Sequence, residues 1–297
     1  MREITFEIIA KAVEGLFLNA CHAYPPEVVP AFENALAREE SPYGRASLQV
    51  AIDNARIARE QGLPLCQDTG MAVVFAEVGQ EVHIIGGLLE DAVNEGVRRA
   101  YISMRKSVLS PLERINTGTN TPAVLHVSLV KGDRLALHAA PKGFGSENMS
   151  ALKMLKPSDG LAGVMEFIVQ TVSNAGANPC PPVVVGVGIG GTMEKAALMA
   201  KHSLLRELGA PSADPQLAQL EQELLARINW LGIGPQGLGG RITALAVHLE
   251  QYPTHIAGLP VAVNMQCHCA RHASAVLSGG VEDGISVNAS RAGSENA

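Results

Sequence analysis

The chain has 297 residues and a net charge of −6. No Lys/Arg cluster is interleaved with aromatics, so a nucleic-acid partner is not expected. Apolar residues make up 47% and charged residues 18%, a balance that supports a sizeable core and excludes a largely disordered chain.

The opening residues, Met-Arg-Glu-Ile-Thr-Phe-Glu, are charged, and no apolar run long enough to span a bilayer follows. A cytoplasmic protein with no signal peptide and no membrane contact is therefore expected. The length allows one large or two modest domains. Aromatics at 4%, with 30 glycines and 17 prolines, predict an aliphatic core and a fold rich in turns.

The first part, residues 1–62, reads as helical. Ile8, Val13, Leu16 and Phe17 share one face. Pro25 to Arg38 is a second helix, and Gly44 to Gln61, with Leu48, Ala51, Ala55 and Ala58 along one side, is a third. The period then changes to that of strands: Ala72 to Val78 and Val82 to Ile85, joined by a short turn. A helix runs from Leu88 to about Met104. Ala123 to Val130 and Leu135 to Ala140 predict a hairpin turning at Lys131-Gly132-Asp133.

Ser158 to Asn174 reads as a helix with Ser158-Asp159 as its cap. Val183 to Val185 is a short buried strand, and Gly186 to Gly191 a glycine-rich loop. Thr192 to Glu207 and Pro215 to Asn229 are helices, and Ala244 to Leu249 and Val261 to Met265 are strands. Hairpins alongside separate helical blocks predict an α+β fold, with a helical N-terminal region packed on mixed or antiparallel sheet. A single domain is expected over residues 1–278, and the Gly-, Ser- and Asn-rich segment 279–297 is expected to be a flexible tail.

Three of the five cysteines stand at breaks in this pattern: Cys66 in Cys66-Gln67-Asp68-Thr69-Gly70, Cys180 in Pro179-Cys180-Pro181-Pro182, and Cys267 in Gln266-Cys267-His268. An odd number of cysteines at irregular spacings argues against a disulfide framework. Turns expose backbone amides that hydrogen-bond cluster sulfurs, so a three-thiolate iron–sulfur site fits these positions. Three thiolates leave one iron open as a Lewis acid, whereas four ligands suit electron transfer. Cys269 follows Cys267 so closely that the residues alone do not choose between them. Cys21 lies in the helical block and reads as structural.

Gly186-Val187-Gly188-Ile189-Gly190-Gly191 matches a dinucleotide fingerprint, but the strand with a terminal acidic residue that should follow is missing. Close backbone packing, or amides aimed at a cluster or carboxylate, is the better reading of these glycines. Asp68 and His255 are candidate acid/base or binding groups. Lys142 to Asn148 reads either as a surface loop or as a carboxylate cradle, and Asn116 to Pro122 as a dense polar turn.

Taken together, Cys66-Gln-Asp-Thr-Gly70, Asn116-Thr-Gly-Thr-Asn120, Lys142-Gly-Phe-Gly-Ser-Glu-Asn148, Cys180-Pro-Pro182, Gly188-Ile-Gly-Gly-Thr192 and Gln266-Cys-His268 resemble the α-type domain of the class I iron–sulfur fumarate and tartrate dehydratases. The resemblance implies a [4Fe–4S] cluster held by Cys66, Cys180 and Cys267, with glycine-rich turns around it. It implies a small dicarboxylate substrate bound by Gln67, Asp68, Arg105, Gly145 and His255, with Asp68 and His255 in catalytic roles. Arg105 matches better than the nearby Arg114. The β-type domain of the fused members, which carries the base, does not follow in this sequence. A β subunit and a hetero-oligomer are thus implied. The implied reaction is hydration of fumarate to (S)-malate, with L(+)-tartrate dehydration as the alternative inside the family. An electron-transfer iron–sulfur protein or a nicotinamide oxidoreductase are the competing classes.

Overall fold

The computed structural model describes residues 1–278; the segment expected to be a flexible tail lies outside the described residues. In chain order the elements are β1 (Arg2–Thr5), α1 (Phe6–His22), α2 (Val28–Arg38), α3 (Pro42–Gln61), β2 (Met71–Gly79), β3 (Val82–Ile85), α4 (Leu89–Ala100), β4 (Val124–Val130), β5 (Leu135–Lys142), α5 (Phe144–Glu147), β6 (Ala151–Leu155), α6 (Gly160–Ala175), β7 (Val183–Gly190), α7 (Met193–His202), α8 (Pro215–Trp230), β8 (Ala244–Tyr252), β9 (Leu259–Gln266) and β10 (Ala273–Leu277). This is the expected α+β class with mixed sheets. The chain forms two units: Met1–Pro25, Ile57–Gly143 and the segment from Arg271 make the first, and Pro26–Arg56 with Phe144–Ala270 the second.

In the first unit, α1 buries Ile9, Val13, Leu16, Phe17 and Ala20 at helical spacing, and Thr5 caps it by accepting from the Ile8 amide at 3.3 Å. Helix α4 presents Ala92, Val93, Val97 and Ala100 to the same core. The sheet runs β10–β5–β2–β4. Alternate residues Val74, Ala76 and Val78 of β2 and Leu135, Leu137 and Ala139 of β5 turn to the helices.

One sequence expectation fails here. Strands β4 and β5 do not form a hairpin: β2 lies between them, parallel to β4 and antiparallel to β5. The reason is burial. Ala72 to Ala76 are buried on both faces and belong in the middle of a sheet, while β4 leaves Val127 and Leu129 exposed as an edge strand does. Strand β3 follows β2 across a short turn, as expected. It joins β1 in a separate parallel pair, so the N-terminal block opens with a strand before its helices.

In the second unit the sheet runs β6–β9–β7–β8. Its Val183, Val185, Val187, Val247, Leu249, Val261, Val263 and Met265 pack with Val164, Ile168 and Val172 of α6 and Leu217, Leu224 and Ile228 of α8. Helix α8 is capped by Asp214, which accepts from the Gln216 amide at 2.9 Å, with Pro215 at the first turn. The expected cap on α6 is absent; Asp159 instead accepts from the Lys156 amide at 2.9 Å, closing a short 3₁₀ turn ahead of the helix.

The segment Gly186–Gly190, read as a loop, is the body of strand β7. A Cβ on Gly186 would stand 2.2 Å from Ala200 O, and one on Gly188 2.1 Å from Ala196 O. The glycines let α7 lie directly on the strand backbone, which is the packing role weighed above.

Glu39, between α2 and α3, is 2% exposed. Its carboxylate accepts from the amides of Glu40, Ser41, Arg241 and Ile242 at 2.9–3.0 Å. It joins the helical arm to the loop that feeds β8. Burial raises its pKa, but the amides of Ser41, Arg241, Ile242 and Glu40 outweigh that, and the net shift is downward.

Candidate active site

Each unit gathers sequence-predicted residues at one end of its sheet. In the first unit, the chain leaves α3 through Gly62 and enters β2 at Met71, opposite Lys142 of β5. The Cys66–Gly70 loop between them is held at nearly every residue. Arg271 donates from Nη2 to Asp68 O. The Tyr101 hydroxyl donates to Thr69 O at 2.8 Å, and the Thr69 hydroxyl donates to Arg105 O at 2.6 Å. Asn120, fully buried and with φ 61°, donates to Gly70 O at 3.1 Å and accepts from the Ser107 amide at 2.7 Å.

Within the loop, the Gly70 amide donates to Asp68 Oδ1 at 2.9 Å, which turns the carboxylate back over the loop. Gly70 has φ +80°, and a Cβ there would stand 2.8 Å from Pro141 C. A Cβ on Gly143 would stand 3.3 Å from Asp68 Oδ2, so a glycine leaves the carboxylate its space. Cys66 and Asp68 are half-buried and Gln67 is exposed.

The Thr69 bond fastens the Arg105 backbone to this loop, whereas the Arg114 amide bonds Ser110 O in its own turn at 3.1 Å. Both arginines are exposed. Cys21 is buried, with Sγ 3.9 Å from Thr69 O and from the Tyr101 hydroxyl. Burial pushes its thiol pKa up, as befits a structural cysteine.

In the second unit, the C-terminal end of β9 gathers the Cys180 and Cys267 segments. His268 donates its amide to Cys180 O at 3.1 Å. Gln236 donates its amide to Pro181 O at 2.8 Å and its side chain to the same oxygen at 2.9 Å. Its Nε2 also stands 3.2 Å from His268 Nδ1. The loops of Cys180 and Cys267 are thereby held together. Cys180 is exposed, with φ 54°; Cys267 is half-buried; Cys269 is sealed at 1% exposure. The Gln266 side chain donates to Cys269 O at 2.8 Å and lies 3.9 Å from Cys267 Sγ. Gln236 escaped the sequence reading because it acts on a backbone carbonyl, which leaves no local motif.

The turn α5 stands at the same end. Glu147 pairs with Lys201 Nζ at 2.5 Å and accepts from Asn264 Nδ2 at 3.1 Å, which anchors the turn to α7 and β9. Gly145 is exposed, and a Cβ there would meet only Asn178 O at 3.7 Å. His255 is not part of this gathering. It is exposed on the β8–β9 turn, where its Nδ1 accepts from the Ala257 amide at 3.2 Å. Strand β9 separates it from Cys267 by roughly 25 Å at strand rise.

All five cysteines are free thiols. Among the described residues, no three His, Cys, Asp or Glu side chains are already grouped to hold a metal ion. The donor set nonetheless suits a thiolate-bound cluster: Cys66, Cys180 and Cys267 are the accessible thiols, while Cys21 and Cys269 are buried.

A mixed-sheet α+β chain with accessible turn cysteines and amide-rich loops matches a family of lyases. A sequence model described as fumarate hydratase (Fumerase) matches residues 10–276, and the chain belongs to that family of hydro-lyases. A Methanocaldococcus jannaschii protein with the provisional name L(+)-tartrate dehydratase subunit alpha is 44% identical over 274 residues, covering 89% of this chain and 96% of that protein. Proteins named L(+)-tartrate dehydratase subunit alpha are similar too. The one from Escherichia coli O157:H7 is 33% identical over 85% of each chain, and that from strain UTI89 is 34% identical over 83% of each.

Proposed function

We propose that this chain is the α subunit of a [4Fe–4S]-dependent hydro-lyase that reversibly hydrates fumarate to (S)-malate. The observation that carries the reading is the sorting of the cysteines: among the described residues, accessible thiols occur only at the three loop positions to which the sequence resemblance points. Cys66, Cys180 and Cys267 hold the cluster in this proposal. When bound, such a cluster leaves one iron open, a Lewis acid that eases departure of a hydroxyl group.

The chain's own residues then bind and orient the dicarboxylate. The Arg105 guanidinium takes one carboxylate in a charge-assisted pair. The amides around Gly145 hold the other, and Gln67 adds a hydrogen bond at the exposed rim. Asp68, its carboxylate held by the Gly70 amide, orients or protonates the leaving hydroxyl. His255 enters only in an assembly where another chain brings it to a cluster, because its own Cys267 is out of reach. The base for C3 is assigned to a β subunit, a partner supported by the relatives' names. No described helix is long and apolar enough to cross a membrane, which accords with the proposed cytoplasmic site of action.

A second reading is L(+)-tartrate dehydratase, which converts tartrate to oxaloacetate and water; the relatives' names favour it. Residues Gly143 to Asn148 and Gln266 to His268 favour fumarate. The test is anaerobic purification of the chain with its partner, iron counting, and kcat/KM for malate and L-tartrate. Cys66→Ala, Cys180→Ala and Cys267→Ala should each lose iron, while Cys21→Ala and Cys269→Ala should keep it. Full iron content in the first three would sink the cluster assignment.

A further inference from the structure

We propose that Arg271 is a positioning residue that sets the Asp68 loop. The inference rests on the hydro-lyase reading above and adds a residue that neither the motifs nor the relatives' names single out.

Arg271 is 4% exposed, which is unusual for a guanidinium. Burying this charge costs free energy unless hydrogen bonds satisfy it. Two of its bonds go to backbone carbonyls of the two segments that form the site end of the first unit. Nη2 donates to Asp68 O, and Nε donates to Pro141 O at 3.3 Å. Pro141 immediately precedes Lys142-Gly143, the glycine whose missing side chain makes room for Asp68 Oδ2. One planar cation thus fixes both the loop that carries the carboxylate and the strand end that borders it.

The fork geometry matters here. A guanidinium reaches two acceptors in fixed directions, and an ammonium at the same place is a single point charge on a flexible stem. Arg271 also sits just downstream of Cys267, in the stretch that leads into β10. Other side chains clamp the same loop: Tyr101 on Thr69 and Asn120 on Gly70. Those hold the C-terminal half of the loop. Arg271 acts one residue earlier, on the carbonyl of Asp68 itself.

The consequence is a split between folding and turnover. Loss of the fork frees the Asp68 carbonyl and lets its carboxylate leave the productive position, and a misplacement of about 1 Å costs about 100-fold in rate. The test compares the wild type, R271K and R271A as the full chain with its partner, reconstituted anaerobically. R271K should keep wild-type iron content and thermal midpoint, lose about 100-fold in kcat, and show altered malate KM. Methylguanidine should restore part of the kcat of R271A. Amide hydrogen exchange should accelerate at residues 67–70 and 141–143 in both variants and stay unchanged in the second unit.

Wild-type kcat in R271K, or loss of activity only in proportion to lost iron, overturns the positioning role. Unchanged exchange at 67–70 overturns the clamp itself. Exchange is read whether or not any dicarboxylate turns over. A wild-type enzyme inactive on malate and tartrate therefore removes the hydro-lyase substrate reading and still leaves the clamp decided.

Discussion

Replacing Glu39 by Gln should destabilise the second unit, and the cost follows from its acceptors. Oε1 takes the amides of Glu40, Ser41 and Arg241, and Oε2 those of Arg241 and Ile242. A glutamine must place an NH2 at one of these positions. Either Ile242, or Glu40 and Ser41 together, then face a donor instead of an acceptor. The cheaper orientation leaves the Ile242 amide alone unpaired, and a buried amide left unpaired costs about 1–3 kcal/mol, so E39Q should lose that much. For a protein of this size that lowers the thermal midpoint by about 2–5 °C.

The pH dependence gives a second handle on the same residue. The folded pKa of Glu39 lies below its ordinary 4.5, because the amide bonds outweigh burial. A depressed carboxylate contributes stability that is fully present above the unfolded value and is lost as pH falls through the folded one. The gap between wild type and E39Q should therefore be flat from neutral pH down to about 5 and narrow below that. The assay is urea unfolding of the full chain, followed by circular dichroism at several pH values. A loss under about 1 kcal/mol at neutral pH, or a gap that widens on acidification, refutes the reasoning.

Gly188→Ala puts a methyl 2.1 Å from Ala196 O; α7 must lift from β7, at about 1–3 kcal/mol or more, read as a lower thermal midpoint. Asn120→Ala leaves the Ser107 amide and Gly70 O without their buried partner; it should cost about 2–4 kcal/mol in urea unfolding and quicken proteolysis near residues 66–70. In the cluster-free chain, iodoacetamide should label Cys180 first, then Cys66 and Cys267, and spare Cys21 and Cys269, as checked by peptide mass spectrometry. His272, whose pKa burial and then His138 push down to about 4, is held neutral in the fold. Unfolded chains take up that proton first as pH falls from 6.5 toward 4, so stability should drop across this window, and less steeply in H272Q.

Much of the fold was legible from local pattern. The apolar faces of α1 and α3, the proline-opened α8 and the strand periods of β2, β8 and β9 depend on residues within one or two turns of each other, which sequence displays directly. The site loops were legible as well. Cysteine, glycine and polar residues clustered in turns mark places where backbone amides are free to face a ligand.

What remained hidden was long-range. Local alternation could not show that β2 would insert between β4 and β5, because strand order is decided by which strand must bury both faces. A glycine pattern does not reveal whether the missing side chains make room for a ligand or for a helix; only the approach of α7 to β7 separates the two. Arg271, Asn120 and Gln236 act on backbone carbonyls, groups that every residue carries and that leave no mark in sequence. Cys267 and Cys269 are equivalent by spacing; the family resemblance points to Cys267, but only the fold shows that Cys269 is sealed while Cys267 is not, because accessibility is a property of the packed chain. The sequence by itself determined the elements and the chemistry available at the loops. The tertiary structure decided which strands meet, which thiols stay open, and what holds Asp68 in place, since each of those depends on atoms brought together from distant parts of the chain.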